Sequence, residues 1–404
     1  MNRMGRNGYD MKICHVITRM IVGGAQENTL LTCHELAQRG HDVTLITGPS
    51  PGPEGELLAD ARGRAFRVFV EPNLIRPIRP WTDLWCLKRL KRHFRFFSPT
   101  VVHTHSSKGG ILGRYAAAAV KVPLVVHTIH GLPFHSHQSS LLNKLAITAE
   151  RKVASKTDHW ISVADDMTRQ AVDADIAPSD RFTTIYSGFD VEPYLDSPGE
   201  RQEMRRKLGI PSDAVVVAKI ARLAPLKGHE FLLDAANMLM SRHQRMQIML
   251  IGDGQLRGHI EKRIQKMGLT SRFHLVGLVR PDEIPAYLSV ADLLVHTSLH
   301  EGLPRTLPQA LLAGKPVIAF DLDGAREIVK PGFNGYLVQA GNVEELAMRI
   351  ERIVTDDSLR ERLASWDRGD LMKRFESVNM VGQIEALYRR LLEEKGISTE
   401  KASD

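Results

Sequence analysis

This 404-residue sequence has few of the features that indicate a transmembrane segment, a metal site or a disulfide framework. No apolar run approaches the roughly 18 residues needed to cross a bilayer, so no transmembrane helix is predicted. Only three cysteines are present, and their odd number and apolar surroundings indicate a cytoplasmic, reducing environment. None forms a Cys-x2-Cys pair and no His-Glu-x2-His segment occurs, so no metal site is predicted.

Motifs of nucleotide-hydrolysing and nucleic-acid-binding proteins are also missing. The segment AGKP (313–316) lacks the spacing and the following Ser or Thr of a Walker sequence. No RRM, KH or zinc-finger pattern appears, so no nucleic-acid partner is predicted although the net charge is +7. The positive charge favours an anionic partner, which leaves an anionic membrane or a phosphate-bearing substrate.

The composition is that of a globular protein, with 43% hydrophobic and 25% charged residues. The length corresponds to roughly two to three domains of ordinary size. The N-terminal segment MNRMGRNGYD is polar and lacks the apolar region of a signal peptide, so residues 1–10 are predicted to be a disordered leader.

Short β-branched runs alternate with amphipathic helical stretches along the first half of the chain. The segment 25–40 is predicted to be a helix closed by Gly40. This alternation predicts a doubly wound parallel sheet, an α/β fold. The predicted strands are 12–17, 42–47, 67–70, 100–105 and 123–129, followed by the weaker 159–163 and 183–186.

A second series of strands begins after a segment rich in Gly, Pro and charge. We predict a first domain over 11–190, a linker over 191–213, a second domain over 214–375, and a C-terminal helix over 376–404 that packs back toward the first domain. Two such domains would face a cleft at the carboxyl ends of their strands, where ligands of open α/β sheets bind. The strands of the second series are 214–220, 247–252, 272–277, 293–298 and 315–320.

Three loops that follow predicted strands contain candidate ligand-binding residues. Gly23 and Gly24 open a helix, which suits either an anion at the helix N-terminus or a tight turn alone. Arg222 and Lys227 in ARLAPLKG suit a diphosphate, since each charge-assisted hydrogen bond contributes about 1.5–3 kcal/mol; the alternative is two solvated surface charges.

The third loop is HEGLPR (300–305), which precedes a short predicted helix beginning near Arg305. Glu301 can accept hydrogen bonds from sugar hydroxyls, and the backbone amides of Gly302 and Leu303 can receive phosphate oxygens. The alternative for Glu301 is a carboxylate that only stabilises a helix N-terminus. Gln309, eight residues further on, lies within the predicted helix.

Six motifs, in a fixed order along the chain, give it a family resemblance. They are GGAQE, VVHTHSSKGG, VVHTIHG, ARLAPLKG, GDG and HEGLPRTLPQALLAGKPVIAFDLDGAREIV followed by NGYLV. From about Met11 to Val354 the chain resembles the retaining family 4 glycosyltransferases. That resemblance implies the GT-B fold, in which two Rossmann-like domains face a cleft: the first on the acceptor side, the second binding a nucleotide-sugar donor.

The resemblance also assigns roles to residues of the second domain. Glu301 corresponds to the acid that contacts the hydroxyls of the donor sugar, and Arg222 with Lys227 to the cations on the diphosphate. Gln309 stands where the family has a second acid on the ribose, and an amide can still accept and donate there. The remaining donor-binding residues implied are Gly252, Asp253 and Gly254 beside the nucleotide, Leu278 and Val279 with their backbone against the base, and Gly302, Leu303 and Pro304.

Histidines at two strand ends of the first domain are further candidates. By resemblance His130 is the cleft histidine that contacts the donor sugar and the reaction centre, whereas His127 is predicted to be structural. His105, Ser106 and Lys108 follow the preceding strand and are weaker candidates for the acceptor side.

Residues 81–97 are predicted to form a helix with two faces. Leu84, Leu87, Leu90, Phe94 and Phe97 form one apolar stripe, and basic residues interleaved with Trp85 and Phe96 occupy the other side. Such a face suits weak contact with an anionic membrane on its cytoplasmic side, and an ordinary solvated helix is the alternative.

Together these features predict a hexosyltransferase that uses a nucleotide-sugar, UDP-linked by preference, and a hydroxyl acceptor in glycan, polysaccharide or glycolipid assembly. The resemblance implies retention of configuration without a bound metal or other cofactor. The alternatives are a catalytically silent nucleotide-sugar or glycan-binding protein of the same fold, which Gln309 favours, a nucleotide-sugar epimerase, or a sugar phosphorylase.

Overall fold

The computed structural model describes residues 11–50, 55–57, 59, 65–195 and 200–397. The predicted leader, residues 1–10, lies outside the described residues. The chain divides into two compact units. The first unit combines Met1–Phe189 with Glu376–Asp404, and the second unit is Asp190–Phe375.

The first unit is built on a parallel sheet of seven strands in the order β3-β2-β1-β4-β5-β6-β7. Most of these strands are buried along nearly their whole length, as expected when helices cover both faces of a parallel sheet. The strand order reverses between β1 and β4, which is the arrangement of a doubly wound fold. The strands are β1 Lys12–Ile17, β2 Asp42–Thr47, β3 Arg67–Val70, β4 Val101–His105, β5 Leu124–Ile129, β6 His159–Ser162 and β7 Phe182–Thr184.

Helices connect these strands, and the predicted helix after β1 is present. Gly40 follows it with φ 95°, the left-handed conformation that ends many helices. The helices of the first unit are α1 Gly24–Gln38, α2 Pro80–Phe97, α3 Ser107–Ala119, α4 Ser140–Ala154, α5 Asp165–Asp173 and, after the second unit, α14 Ser377–Glu394.

The second unit repeats the arrangement with six parallel strands in the order β10-β9-β8-β11-β12-β13. Its strands are β8 Val215–Ile220, β9 Met246–Ile251, β10 Phe273–Gly277, β11 Leu293–His296, β12 Val317–Phe320 and β13 Gly335–Val338. Its helices are α6 Glu200–Leu208, α7 His229–Leu239, α8 Arg257–Lys266, α9 Ile284–Val290, α10 Thr306–Leu312, α11 Val343–Thr355, α12 Asp357–Ala364 and α13 Gly369–Phe375.

The strand β13 was not predicted from the sequence. It has only four residues and carries no long apolar run. Its first residue, Gly335, lies against β12 so closely that an added Cβ would come within 2.0 Å of the carbonyl oxygen of Val317. Glycine at this position therefore permits the pairing that places β13 at the edge of the sheet.

The described part of the predicted linker is structured and belongs to the second unit. Helix α6 carries two arginines that reach Asp292, just before β11: Arg201 Nη2 lies 2.6 Å from Oδ1 and Arg205 Nη2 lies 3.0 Å from Oδ2. Asp292 also accepts a hydrogen bond from the backbone N–H of Val216 at 2.7 Å. These bonds attach α6 to the sheet, which hydrophobic periodicity alone does not predict.

Helix α14 returns to the first unit and packs against α1. Its Tyr388 is fully buried in the core, and Arg39 at the end of α1 pairs with Glu385 at 3.0 Å. Among the described residues, no helix combines the length and the apolar content needed to span a membrane.

Candidate active site

Two loops of the second unit meet at the edge of its sheet where the strand order reverses. Residues 221–228 follow β8 and residues 297–305 follow β11, and these strands are direct neighbours. The carboxyl ends of strands at such a switch point are where open α/β sheets bind ligands. The predicted residues Arg222, Lys227 and Glu301 all lie on these two loops.

The loop after β8 is held against the loop after β11 by close backbone contacts. A Cβ on Gly228 (φ 63°) would come within 1.9 Å of the carbonyl oxygen of Thr297. The Thr297 hydroxyl donates to the Gly228 carbonyl at 2.6 Å, and the N–H of Leu299 donates to the carbonyl of Leu226 at 2.8 Å. Leu226 itself has φ 65°, an uncommon conformation for a bulky residue that these contacts maintain. The position of Lys227 is therefore tightly defined.

Lys227 and Glu301 form the central ion pair of this site, with Nζ 2.5 Å from Oε1. The two side chains are 17% and 24% exposed, so a ligand can reach both. Burial alone would raise the pKa of Glu301, but the charges of Lys227 and His296 and the hydrogen bond from Lys227 lower it to about 2. Glu301 is therefore ionised at every pH of practical use and can accept hydrogen bonds from hydroxyl groups.

Lys219 lies beneath this pair and was not predicted. It is 1% exposed, and its Nζ donates to Thr297 Oγ1 at 2.7 Å. Burial, and then repulsion from Lys227, lowers its pKa to about 7. The only signal in the sequence is one lysine inside the apolar strand VVVAKI, which periodicity cannot distinguish from an edge position.

The segment Gly252–Asp253–Gly254 packs on the loop after β8 for a steric reason. A Cβ on Gly252 (φ 132°) would come within 2.1 Å of the Ala221 carbonyl oxygen. Asp253 accepts hydrogen bonds from the Gly254 N–H at 2.7 Å and from Arg257 Nη1 at 2.9 Å. These contacts explain the glycines as packing residues, and the predicted nearness to a nucleotide stays a prediction.

The residues after Glu301 lie just before the predicted helix. Helix α10 begins at Thr306, with Arg305 at its N-cap, so the predicted start near Arg305 is confirmed and the amides of Gly302 and Leu303 precede the helix. Gly302, Leu303 and Pro304 are buried. Asp323, which was not singled out from the sequence, accepts a hydrogen bond from the backbone N–H of Glu301 at 2.7 Å and so fixes that residue.

The positions assigned to the ribose and the base lie in the same unit. The side chain of Gln309 is only 8% exposed within α10. Leu278 is 43% exposed and Val279 is buried, just after β10. Their assigned contacts stay predictions.

In the first unit, the predicted histidine and serine line one cavity of about 260 Å³ at the ends of β4 and β5. The lining includes His130, Ser106 and the buried Glu150. His105 lies behind the cavity, fully buried, with its Nδ1 3.0 Å from His130 Nε2. His127, predicted to be structural, is buried and bonds with Thr104 Oγ1 at 2.9 Å.

Lys108 and Gly23, two other predicted positions of the first unit, are not among the residues that line this cavity. Lys108 pairs with Asp83 of α2 at 2.5 Å and also donates to the carbonyl of Pro77, so its ammonium is directed to α2 and the chain before it. Gly23 has φ 171°, an extended conformation open to any residue, and precedes Gly24 at the start of α1. The structure thus gives no conformational requirement for glycine at position 23.

Two family models match the chain. The model described as Glycosyl transferases group 1 matches residues 200–368, and the model described as Glycosyltransferase Family 4 matches residues 22–193. The chain belongs to the family 4 glycosyltransferases. The predicted family and the predicted glycosyltransferase activity are thereby confirmed.

Proteins similar to this chain over most of its length are glycosyltransferases by name. This family 4 glycosyltransferase is 28% identical over 381 residues, 94% of the chain and 96% of the relative, to the UDP-Gal:alpha-D-GlcNAc-diphosphoundecaprenol alpha-1,3-galactosyltransferase of Escherichia coli. It is 28% identical over 321 residues, 76% of the chain and 81% of the relative, to the alpha-D-kanosaminyltransferase of Streptomyces kanamyceticus.

Solved structures agree with the GT-B fold. Anabaena Alr3699/HepE in complex with UDP and glucose superimposes with a TM-score of 0.80 at 24% identity over 93% of this chain and 99% of that chain. Sucrose-phosphate synthase of Thermosynechococcus elongatus gives a TM-score of 0.79 at 20% identity over 95% and 99%. The predicted fold class of this glycosyltransferase is confirmed.

One group of side chains in this glycosyltransferase has the composition of a metal site. The ring nitrogens of the buried residues His15, His103 and His105 lie within 4.8 Å of one another. No metal site was predicted from the sequence, because His15 lies far from His103 and His105 in the chain and no metal-binding motif joins them. His103 bonds with Tyr388 at 2.5 Å and with Thr128 at 2.6 Å, and His15 bonds with His105 at 3.0 Å.

Proposed function

We propose that this enzyme transfers a hexosyl unit from a UDP-sugar to a hydroxyl acceptor with retention of configuration. The observation that carries the proposal is the Lys227–Glu301 pair at the switch point of the second unit, 2.5 Å apart and open to a ligand. A cation and a carboxylate side by side match the two parts of a nucleotide-sugar, the diphosphate and the hydroxylated ring.

For the acceptor, we propose a lipid-linked sugar of the kind used in glycolipid or polysaccharide assembly. The support is the Escherichia coli relative, whose name gives a diphosphoundecaprenol-linked GlcNAc acceptor and whose length matches this chain almost completely. The cavity beside His130 and Ser106 in the first unit is the proposed place for the acceptor hydroxyl or the donor sugar.

The proposed mechanism relies on fixed charges. As the bond to the sugar breaks, negative charge grows on the departing diphosphate, and Arg222 and Lys227 would stabilise it. The departing phosphate oxygen then takes the proton of the acceptor hydroxyl, which attacks from the same face, so the configuration is retained. Because the two cations supply the charge that a metal provides in other transferases, we expect activity without a metal.

Hydrolysis of the donor in the absence of acceptor tests this proposal. Proton NMR of the purified enzyme with UDP-hexoses, in EDTA and separately with magnesium, should show UDP release, and the released sugar should first appear as the donor's anomer. Inverted sugar would contradict retention, and turnover only with magnesium would contradict metal independence. Donor binding without hydrolysis or transfer would favour the silent binding protein.

We also propose that the first unit contacts an anionic membrane. Ile78, just before α2, and Trp81 and Trp85, in its first turns, are 86%, 80% and 60% exposed. Leu84, which belongs to the predicted apolar stripe, is 44% exposed in the same region, and the buried side chains of α2 are Cys86, Leu90, Phe94 and Phe97.

Helix α4 adds a second exposed apolar region, which was not predicted from the sequence. Leu141, Leu142 and Leu145 at its start are 66%, 54% and 59% exposed. Helices α2 and α4 both begin near the carboxyl edge of the sheet and are separated by α3. Their exposed apolar regions therefore lie on the same side of the sheet as the cavity beside His130 and Ser106. Exposed Lys88, Arg92 and Arg95 on α2 supply positive charge for anionic headgroups.

Vesicle co-sedimentation tests the membrane contact. The double substitution Trp81→Ser and Trp85→Ser should lower partitioning to phosphatidylglycerol vesicles about tenfold or more, since each removes a large apolar side chain from the interface. Met348→Ser, at a similarly exposed apolar side chain of the second unit (52%), is the control and should bind like the wild type. Equal binding of all three proteins, or equal binding to neutral vesicles, would contradict the proposal.

A further inference from the structure

Three imidazoles of the first unit form a hydrogen-bonded chain that ends at the cavity. His15 Nδ1 lies 3.0 Å from His105 Nε2, and His105 Nδ1 lies 3.0 Å from His130 Nε2. His15 is on β1, His105 is at the end of β4, and His130 follows β5. The chain therefore crosses three neighbouring strands and reaches the edge of the sheet.

The sheet register explains why these rings meet. His15 pairs with His103 across β1 and β4, and His105 stands two residues further along β4 on the same face. His103 does not belong to the chain, because its two nitrogens bond with Tyr388 and Thr128. His15 and His105 are both fully buried, whereas His130 lines the cavity.

Both hydrogen bonds of this histidine chain must be donated in the same direction, either from His15 toward His130 or from His130 toward His15. Burial lowers the pKa of His15 to about 3 and that of His105 well below its usual value, so both rings are neutral at neutral pH. In a neutral imidazole one nitrogen donates and the other accepts. If His15 donates to His105, then His105 must donate to His130, and the reverse order holds if His130 donates.

The His15 end of the hydrogen-bonded histidine chain determines the direction in which its hydrogen bonds are donated. His15 Nε2 is buried and has no hydrogen-bond partner among the described residues. A buried N–H without an acceptor is rarer in proteins than an unpaired acceptor, because its desolvation is not compensated. His15 Nε2 is therefore the unprotonated nitrogen, and His15 donates from Nδ1.

We propose that His15 and His105 are positioning residues that hold His130 as the tautomer protonated on Nδ1, so that His130 acts as a hydrogen-bond donor to the substrates. This inference rests on the proposed function, since it concerns a residue at the proposed substrate cavity. Its ligand chemistry is an oxygen acceptor, either a sugar hydroxyl or a phosphate oxygen. Without the chain both tautomers of His130 would be populated, and one of them would present an acceptor instead.

Nitrogen NMR of protein labelled with 15N-histidine tests the tautomer without any assay of activity. The His130 signals are identified by their loss in His130→Gln. In the wild type, His130 should have a protonated Nδ1 and an unprotonated Nε2, and in His105→Gln the two signals should move toward averaged positions. A wild-type His130 protonated on Nε2 would overturn the proposal.

The same spectra test the alternative that His15, His103 and His105 hold a metal. The spectrum of the wild type should be unchanged by EDTA, and elemental analysis should find no stoichiometric zinc. Zinc bound at one equivalent, with histidine signals that shift on its removal, would overturn the hydrogen-bonded chain.

Kinetics of three variants, at His105 and at its neighbour His103 on the same strand, test the consequence for the reaction. His105→Gln should lower kcat about tenfold with the donor KM within about twofold, because a positioned donor is lost while the binding groups remain. His105→Asn should recover most of the activity, since its amide can reach the place of Nδ1. His103→Gln is the matched control: it removes an equally buried imidazole on the same strand and should lower Tm while kcat stays near the wild type.

Equal losses of kcat in His105→Gln and His103→Gln, or no recovery in His105→Asn, would contradict the positioning role. A wild type that turns over no nucleotide-sugar would instead contradict the proposed function, and the NMR result would still decide the tautomer.

Discussion

Replacing Glu301 with alanine is expected to lower kcat on the order of 10²-fold while the donor KM changes by a few-fold at most. The carboxylate is ionised, partly exposed and fixed by Lys227 and by the bond from its own backbone N–H to Asp323. Contacts to sugar hydroxyls close to the breaking bond strengthen in the transition state, so their loss appears in kcat. Initial rates over a range of donor concentrations separate the two constants.

Two companion variants make the Glu301 result specific. Glu301→Gln keeps the volume and one acceptor oxygen and should retain more activity than Glu301→Ala. Gln309→Ala should chiefly raise the donor KM by a few-fold, because a ribose contact acts equally in the ground and transition states. A large fall of kcat in Gln309→Ala together with normal turnover in Glu301→Ala would show that the roles are misassigned.

Replacing Lys227 with methionine is expected to weaken nucleoside diphosphate binding about 10- to 100-fold and to change the pH dependence of the enzyme. The affinity falls because one charge-assisted hydrogen bond to phosphate is lost. In the variant, burial is no longer offset by the Lys227 charge, so the pKa of Glu301 rises from about 2. An acid limb governed by Glu301 should then appear in the profile of kcat/KM at higher pH than in the wild type.

The lowered pKa of Glu301 also determines how the stability of the folded protein depends on pH. The folded pKa of Glu301 is below its ordinary value of 4.5, so its contribution to stability is present above that pH and is lost as the pH falls toward 2. The stability difference between the wild type and Lys227→Met should therefore shrink in acid. Lys266→Met, on the exposed end of α8, is the control and should change neither affinity nor profile. A Lys227→Met profile identical to the wild type would contradict the ion pair.

The fold was largely predictable from the sequence, because parallel strands that are buried on both faces appear in the sequence as continuous apolar runs. Twelve of the thirteen strands in the described residues overlap predicted ones, and the exception, β13, has four residues and depends on one close glycine contact. The loops that hold Arg222, Lys227 and Glu301 were also predictable, since switch points and strand ends follow from strand order.

The pairing of side chains within those loops was not predictable. Lys227 and Glu301 are 74 residues apart, and His15 and His105 are 90 residues apart. Only the sheet register and the loop conformations bring them within hydrogen-bond distance. Lys219 and Asp323 were missed for the same reason, because each contacts the site through a residue distant in the chain.

The most direct test of the account is a calorimetric titration with UDP and with UMP, in EDTA, of the wild type and of Lys227→Met. If Lys227 holds the donor diphosphate, the wild type should prefer UDP over UMP by about tenfold or more, and Lys227→Met should lose most of that preference. A preference for UDP that is unchanged in Lys227→Met would contradict the proposed donor site.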